Sequence, residues 1–197
     1  MARFDPAELM TTNGILLTFR SAEPREAKAI LRLMQRSYEE SPYLATRREE
    51  FDASPTRIKA WIESHLMSPG KLMIVAEHRN QLIGMIDFTS SSKQRLQHVG
   101  EFGLSVAADW QRRGIGRALL QSLITWARAS AVIEKIELQV FSENLSAIQL
   151  YRSLDFREEG RRKFAIKYSE SESADGRKQS DYMDLILMSL FTRELRH

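Results

Sequence analysis

No cysteine occurs in the 197 residues, which excludes disulfides, a thiolate nucleophile and a zinc–cysteine site. Long apolar runs are missing too. The longest, residues 72–76, is five residues, against the roughly 18 or more that a membrane-crossing helix needs. Charge of one sign is equally scarce: 29 Lys and Arg against 26 Asp and Glu leave +3, too small an excess to imply nucleic acid unless the cations gather on one face. The start Met1-Ala2-Arg3-Phe4-Asp5 lacks the basic residues and apolar block of a secretory signal. The expected compartment is therefore the cytoplasm, with neither membrane nor nucleic acid as partner. The four histidines, at 65, 78, 98 and 197, have no metal-ligand spacing, and the pairs Glu39-Glu40 and Glu49-Glu50 read as solvated surface, so no metal is expected.

What is present suits a folded globular chain. Hydrophobic residues make up 43% and charged residues 28%, far from the composition of disorder. No repeat or proline-rich linker divides the sequence. The expected organisation is a lead-in over residues 1–13, one domain over 14–192 and a tail over 193–197.

Periodicity orders the elements. A short strand at 15–20 precedes a helix that ends near Tyr38 and carries Ala27, Ile30, Leu31 and Met34 at helical spacing. Ser54-Pro55 opens a second helix that ends near residue 68. The runs 72–77 and 81–89, joined at His78-Arg79-Asn80, read as a hairpin, and 97–106 as a third strand. A glycine-containing basic turn then leads into a helix over 114–131, whose apolar face is Leu119, Leu120, Leu123, Ile124, Ala127 and Ala131. A strand at 135–141, a helix at 144–154 and strands near 164–168 and 182–190 follow. The polar segment 169–181 reads as a surface loop. This order predicts an α/β fold: a mixed, mostly antiparallel central sheet of about seven strands with helices on both faces.

The stretch 103–120, Gly-Leu-Ser-Val-Ala-Ala-Asp-Trp-Gln-Arg-Arg-Gly-Ile-Gly-Arg-Ala-Leu-Leu, carries the chemistry. A strand feeds a glycine-rich turn that opens an amphipathic helix, where backbone N–H groups without intrahelical partners and the positive end of the dipole can receive a phosphate. Gly114 and Gly116 permit close approach, and Arg112, Arg113 and Arg117 add charge. It is not a P-loop, because Gly-Lys-Ser/Thr is missing. It is not a dinucleotide fingerprint either, because the third glycine and the acidic ribose partner are missing.

Gln111-Arg-Arg-Gly-Ile-Gly116 resembles the Q/R-x-x-G-x-G/A signature of the GNAT superfamily of acyl-CoA-dependent N-acyltransferases. Asn144-Leu-Ser-Ala-Ile-Gln-Leu-Tyr151, with Leu154-Asp-Phe156 and Glu159-Gly160, is similar to that family's second block. Asp155 stands where the family has glycine, a position that asks for the left-handed conformation Asp tolerates.

The resemblance implies the GNAT fold, acetyl-CoA as cosubstrate and direct transfer of its acetyl group to a primary amine. By the same resemblance, Leu104, Ser105 and Val106 bind the pantetheine arm through their backbone. Gln111, Arg112, Arg113, Gly114, Ile115, Gly116, Arg117 and Ala118 hold the pyrophosphate, while Asn144 and Ala147 line the other wall. Val106 N–H is the expected oxyanion donor and Tyr151 the acid for the leaving thiolate. Glu101 is the expected base, with His98 or a water relay as alternatives. A lysine-like amine of pKa about 10.4 costs about 4.6 kcal/mol to deprotonate at pH 7, an α-amine near 8 about 1.4 kcal/mol, so a base matters most for the first. Simple alternation sets Glu101 on the face of Gly103 and Ser105, and a bulge near Gly103 could re-aim it.

The pattern looks most like the bacterial small-molecule branch, with an amino acid or related amine as acceptor. A protein N-terminal α-amine is the rival acceptor. A catalytically silent acyl-CoA-binding regulatory module is a reading from another class. Arg161-Arg162-Lys163 and Lys167 would carry a nucleic-acid role. The aliphatic run 185–190 suits a homodimer contact and a sheet interior equally.

Overall fold

In the computed structural model, residues 3–11, 14–172 and 178–193 are described, those at 169–172 and 178–180 by backbone alone. They form eight strands and four α-helices: β1 (Ala7–Met10), β2 (Leu16–Ser21), α1 (Ala27–Glu40), α2 (Pro55–Met67), β3 (Lys71–His78), β4 (Gln81–Ser90), β5 (Val99–Val106), α3 (Ile115–Ala129), β6 (Lys135–Phe141), α4 (Leu145–Arg152), β7 (Arg157–Glu172) and β8 (Lys178–Phe191). The α/β class and the antiparallel pairing are as expected. The additional strand is β1, which lies in the lead-in and pairs with β2 from Ala7↔Phe19 to Met10↔Leu16.

The chain divides into two compact units, Met1–Ile136 with Phe191–His197, and Glu137–Leu190. In the first, β1 to β5 are neighbours in chain order and each pair is antiparallel. The β3–β4 turn is tight because Arg79 and Asn80 both adopt positive φ, 47° and 64°, the twist that two-residue hairpins favour. Both faces of this sheet are covered. Toward α3, Gly84 brings β4 close: a Cβ there would lie 3.3 Å from Leu119 and 3.4 Å from Ile115. Phe88, on the same face, meets Trp126 edge-on at 5.5 Å. On the other face, Met73, Val75 and Met85 pack with Ile30, Leu33, Ile58 and Ile62 of α1 and α2. Burying such side chains contributes about 1.5–3 kcal/mol each.

Ion pairs fix the chain where it leaves β2. Arg20 donates to both Glu26 carboxylate oxygens, at 2.9 and 2.6 Å, and also pairs with Glu77 on β3. Glu26 in turn accepts the Glu23 N–H at 2.8 Å, so one carboxylate serves both the salt bridge and the start of the helical turn.

In the second unit the strand order is β6-β8-β7. The surface loop expected over 169–181 is a correction: strand pairing continues from Ser169↔Asp181 to Glu172↔Lys178, leaving residues 173–177 outside the description. The segment is polar in sequence, so it offers no apolar alternation from which to read a strand. Leu185, Ile186, Met188 and Leu190 of β8 are buried within the chain, so sheet interior accounts for that aliphatic run. Asp155 has φ 66°, the left-handed conformation expected there.

Candidate active site

The glycine-containing turn that the sequence offers to a phosphate joins β5 to α3. β5 ends at Val106, the Gln111 side chain donates to the Val106 carbonyl at 3.1 Å, and α3 opens on Gly114. Arg112 (φ 58°) and Gly114 (φ 84°) both take the left-handed conformation, with a right-handed helix starting directly after them. Backbone of this kind gathers successive N–H groups into a concave, anion-receiving surface. The Gly114 requirement is conformational, since no atom lies within 4 Å of where its Cβ would be. Ile115 is buried, so of this residue only the backbone N–H can meet a phosphate. Arg113 lies over the Trp110 ring at 5.0 Å, which holds its guanidinium beside the turn.

The backbone of β5 is polarised between its two edges. Ala107 N–H donates to Ile83 C=O at 2.9 Å. Stepping back by the two-residue alternation of an antiparallel ladder, Ser105 and Gly103 also direct their N–H and C=O groups to β4, while Leu104 and Val106 direct theirs to the other edge. Leu104 and Val106 are thus the residues free of the β4 ladder, and the backbone groups of Ser105 are engaged in it.

The β4–β5 register runs without a shift from Gly84↔Val106 to Ser90↔Gly100. The bulge that could re-aim Glu101 is not there. Glu101, Gly103 and Ser105 share a face with their partners Thr89, Asp87 and Met85. That face carries a group the sequence reading passed over. Asp87 is a carboxyl in an otherwise apolar stretch of β4, and burial pushes it up to about 7 even though its own backbone N–H hydrogen-bonds it. It sits against Gly103, where a Cβ would lie 2.7 Å from Asp87 Oδ1. Tyr38 of α1 faces it, its hydroxyl raised by burial and by the Asp87 charge. The available signal was a single acid inside the run Ile83-Gly84-Met85-Ile86-Asp87-Phe88, a costly placement that marks function.

Strand geometry ranks the candidate bases. His98 precedes β5, six residues or about 20 Å from Leu104, and its carbonyl is occupied by Glu134 and Lys135 N–H at 2.8 and 3.1 Å. Glu101 is exposed and three residues from Leu104, about 10 Å along the strand. Asp87 is opposite Gly103, next to Leu104.

In the second unit, Asn144 caps α4: its Oδ1 accepts the Ala147 N–H and the Ser146 hydroxyl, each at 3.2 Å. This fixes the first turn of α4, with Ala147 half-buried on it. Tyr151 lies one turn beyond, half-buried, its ring 5.9 Å from Phe156. Burial pushes its hydroxyl up to about 12, so it holds its proton at neutral pH. Of the cations at 161–163 and 167, Arg161 pairs with Asp184 at 2.7 Å and Arg162 donates to Gln139 Oε1 at 3.3 Å. Among the described residues no three His, Asp or Glu gather to hold a metal, and no helix is long and apolar enough to cross a membrane.

The sequence profile of the acetyltransferase (GNAT) family matches residues 28–156, about two thirds of the chain, spanning the glycine turn and the second block through Phe156. The chain belongs to the GNAT acetyltransferase family. It is an acetyl-CoA-dependent N-acetyltransferase by that membership. This acetyltransferase is 31% identical over 111 residues to the L-amino acid N-acetyltransferase AaaT of Escherichia coli, a match covering 56% of this chain and 68% of that protein. It is 37% identical over 89 residues to the ribosomal protein bS18-alanine N-acetyltransferase of the same organism, covering 45% of this chain and 53% of that one. Among solved structures, a GNAT acetyltransferase from Streptococcus pneumoniae aligns with TM-score 0.81 at 21% identity, over 89% of this chain and 99% of that one. YncA from Salmonella typhimurium, solved with acetyl-CoA, aligns with TM-score 0.76 at 22% identity, over 92% and 96%. These two likenesses carry the fold.

Proposed function

We propose that this acetyltransferase moves the acetyl group of acetyl-CoA directly to a small-molecule primary amine, of the amino-acid and related-amine class. The observation that carries this reading is the coincidence, in one unit, of an anion-receiving turn at α3, two outward N–H groups on β5 and a desolvated carboxyl beside them.

The pyrophosphate binds the amides of residues 112–117, with Gln111 bracing the turn and Ala118 continuing the first helical turn. Val106 holds the pantetheine arm. Of the two outward N–H groups, that of Leu104 adjoins Gly103, the residue opposite Asp87, so Leu104 rather than Val106 receives the charge developing on the thioester oxygen. The amine lone pair attacks the carbonyl carbon, the C–N bond forms and the C–S bond breaks. Asp87 takes the proton the amine loses, and Glu101 draws the cationic amine in. Tyr151 gives its proton to the leaving thiolate, and Asn144 and Ala147 shape the turn that carries Tyr151. With no cysteine in the chain, no acyl-enzyme on sulfur competes with direct attack.

The likeness to the bS18-alanine enzyme favours a second acceptor, a protein N-terminal α-amine. Thiol release from acetyl-CoA, measured against amino acids, polyamines and short peptides, separates the two. Turnover of small amines supports the first reading, and turnover of peptides alone replaces it with the second. Acetyl-CoA binding without thiol release for any acceptor would leave only a silent binding module.

A further inference from the structure

Lys71, Thr89 and Glu101 form one row across three neighbouring strands: Lys71 of β3 is opposite Thr89 of β4, and Thr89 is opposite Glu101 of β5. The next row on the same face is Met73, Asp87 and Gly103. This face therefore holds a cation on one strand and carboxyl groups on the two beside it. Strand spacing sets the Lys71 and Glu101 backbones roughly 10 Å apart, room for a small molecule between their end groups. Those end groups are not matched with each other. Lys71 Nζ donates to the neutral Ser64 hydroxyl at 3.4 Å, and Glu101 is exposed and has no ion pair among the described residues. The nearby guanidiniums are taken, Arg36 of α1 by Glu40 and Arg48, between α1 and α2, by Glu39. Thr89, in the middle of the row, is oriented by α2. His65 Nδ1 lies 2.8 Å from the Trp61 carbonyl, so that nitrogen carries the proton; burial favours the neutral ring, and Nε2, 3.3 Å from the Thr89 hydroxyl, accepts from it. The Thr89 oxygen is left to accept in its turn.

We propose that Lys71 is a specificity-determining residue of the acceptor site: its ammonium receives the α-carboxylate of an amino acid whose α-amine lies between Asp87 and Glu101. Each end of the zwitterion then meets the opposite charge, and the Thr89 oxygen between them accepts from the amine. Lysine suits this part, because a point charge on a flexible stem can leave the Ser64 hydroxyl for a carboxylate. An amide, a decarboxylated amine or a peptide N-terminus brings Lys71 no charge to receive. Selection among these acceptors is then the difference made by one charge-assisted hydrogen bond.

The proposal rests on the small-molecule acceptor reading above, and the test distinguishes the failure of each. Thiol release at saturating acetyl-CoA is measured for wild type, Lys71→Met and Lys71→Arg with matched acceptors: leucine against leucinamide, tyrosine against tyramine and histidine against histamine. Lys71→Met keeps the stem and removes the charge, and comparing variant with wild type on each pair cancels the pair's own difference in amine basicity. The expected loss of kcat/KM in Lys71→Met is at least tenfold greater for the amino acid than for its carboxylate-free partner and is carried by KM, while Lys71→Arg retains most of the preference. Equal losses within each pair, or no loss with either member, overturn the proposal and leave acetyl transfer to small amines standing. Turnover of peptides with none of the small amines overturns the small-molecule reading and the proposal with it. Acetyl-CoA binding without thiol release for any acceptor overturns both as well.

Discussion

Gly103 lies directly opposite Asp87 across the β4–β5 ladder, and the space its missing side chain leaves is taken by the Asp87 carboxylate, 2.7 Å from where a Cβ would be. The obstructing atom is the end of a side chain rather than backbone, so it can move. Gly103→Ala therefore tilts Asp87 away while leaving the ladder intact. A fall in kcat of about tenfold is expected, less than the roughly 100-fold that losing a positioned base outright costs, because the carboxyl is displaced and not removed. Acetyl-CoA affinity, measured by calorimetry, stays within about twofold, a shift near 0.4 kcal/mol.

Asp87→Asn separates stability from activity. Asp87 is raised to about 7 by burial, so the folded state holds its proton more tightly than the unfolded state does. The stability this adds is full below the unfolded pKa and is lost as pH rises through about 7. At pH 8 the wild type buries a charge that the Asn variant does not. The variant's Tm should equal or exceed the wild-type value at pH 8, and that advantage should shrink at pH 5, even as its turnover falls. A lower Tm at both pH values would assign Asp87 a structural role.

Tyr151→Phe removes the proposed acid. Because Tyr151 titrates near 12, the wild-type enzyme should show no loss of this group up to pH 9. The variant should lose about 100-fold in kcat, within the range for general acid catalysis, with acetyl-CoA affinity nearly unchanged. Undiminished thiol release would remove Tyr151 from the mechanism.

Much of this arrangement is legible in the sequence, and the reasons differ by element. The turn between β5 and α3 announces itself because its glycines and arginines sit at fixed offsets within a short stretch, the pattern from which phosphate binding is proposed. The cap at Asn144 is legible because it opens a helix, and Tyr151 follows it at a fixed spacing two turns later. Asp87 is obscured by its strand: in a run read only for apolar content, one acid looks like an interruption. Its importance comes from Gly103, 16 positions away, and a cross-strand pair has no short-range signature. β1 is hidden for a related reason, since four residues of weak strand preference acquire their form by pairing with β2.

Gly114→Ala tests the phosphate turn. At φ 84° a Cβ costs about 1–2 kcal/mol, and the strain falls on the amides proposed to bind the phosphate. Acetyl-CoA affinity should drop about tenfold or more, which corresponds to about 1.4 kcal/mol, with kcat at saturating acetyl-CoA much less affected. A change in kcat alone would mean that the turn serves chemistry rather than binding.

The central claim is that Asp87 accepts the proton from an amine attacking acetyl-CoA directly. Its most direct test is kcat for wild type and Asp87→Asn against a series of primary amines of falling pKa. The account predicts that the deficit of the variant is largest for strongly basic amines and narrows steadily as the amine becomes able to lose its proton unaided. A deficit independent of amine pKa, or none at all, would contradict it.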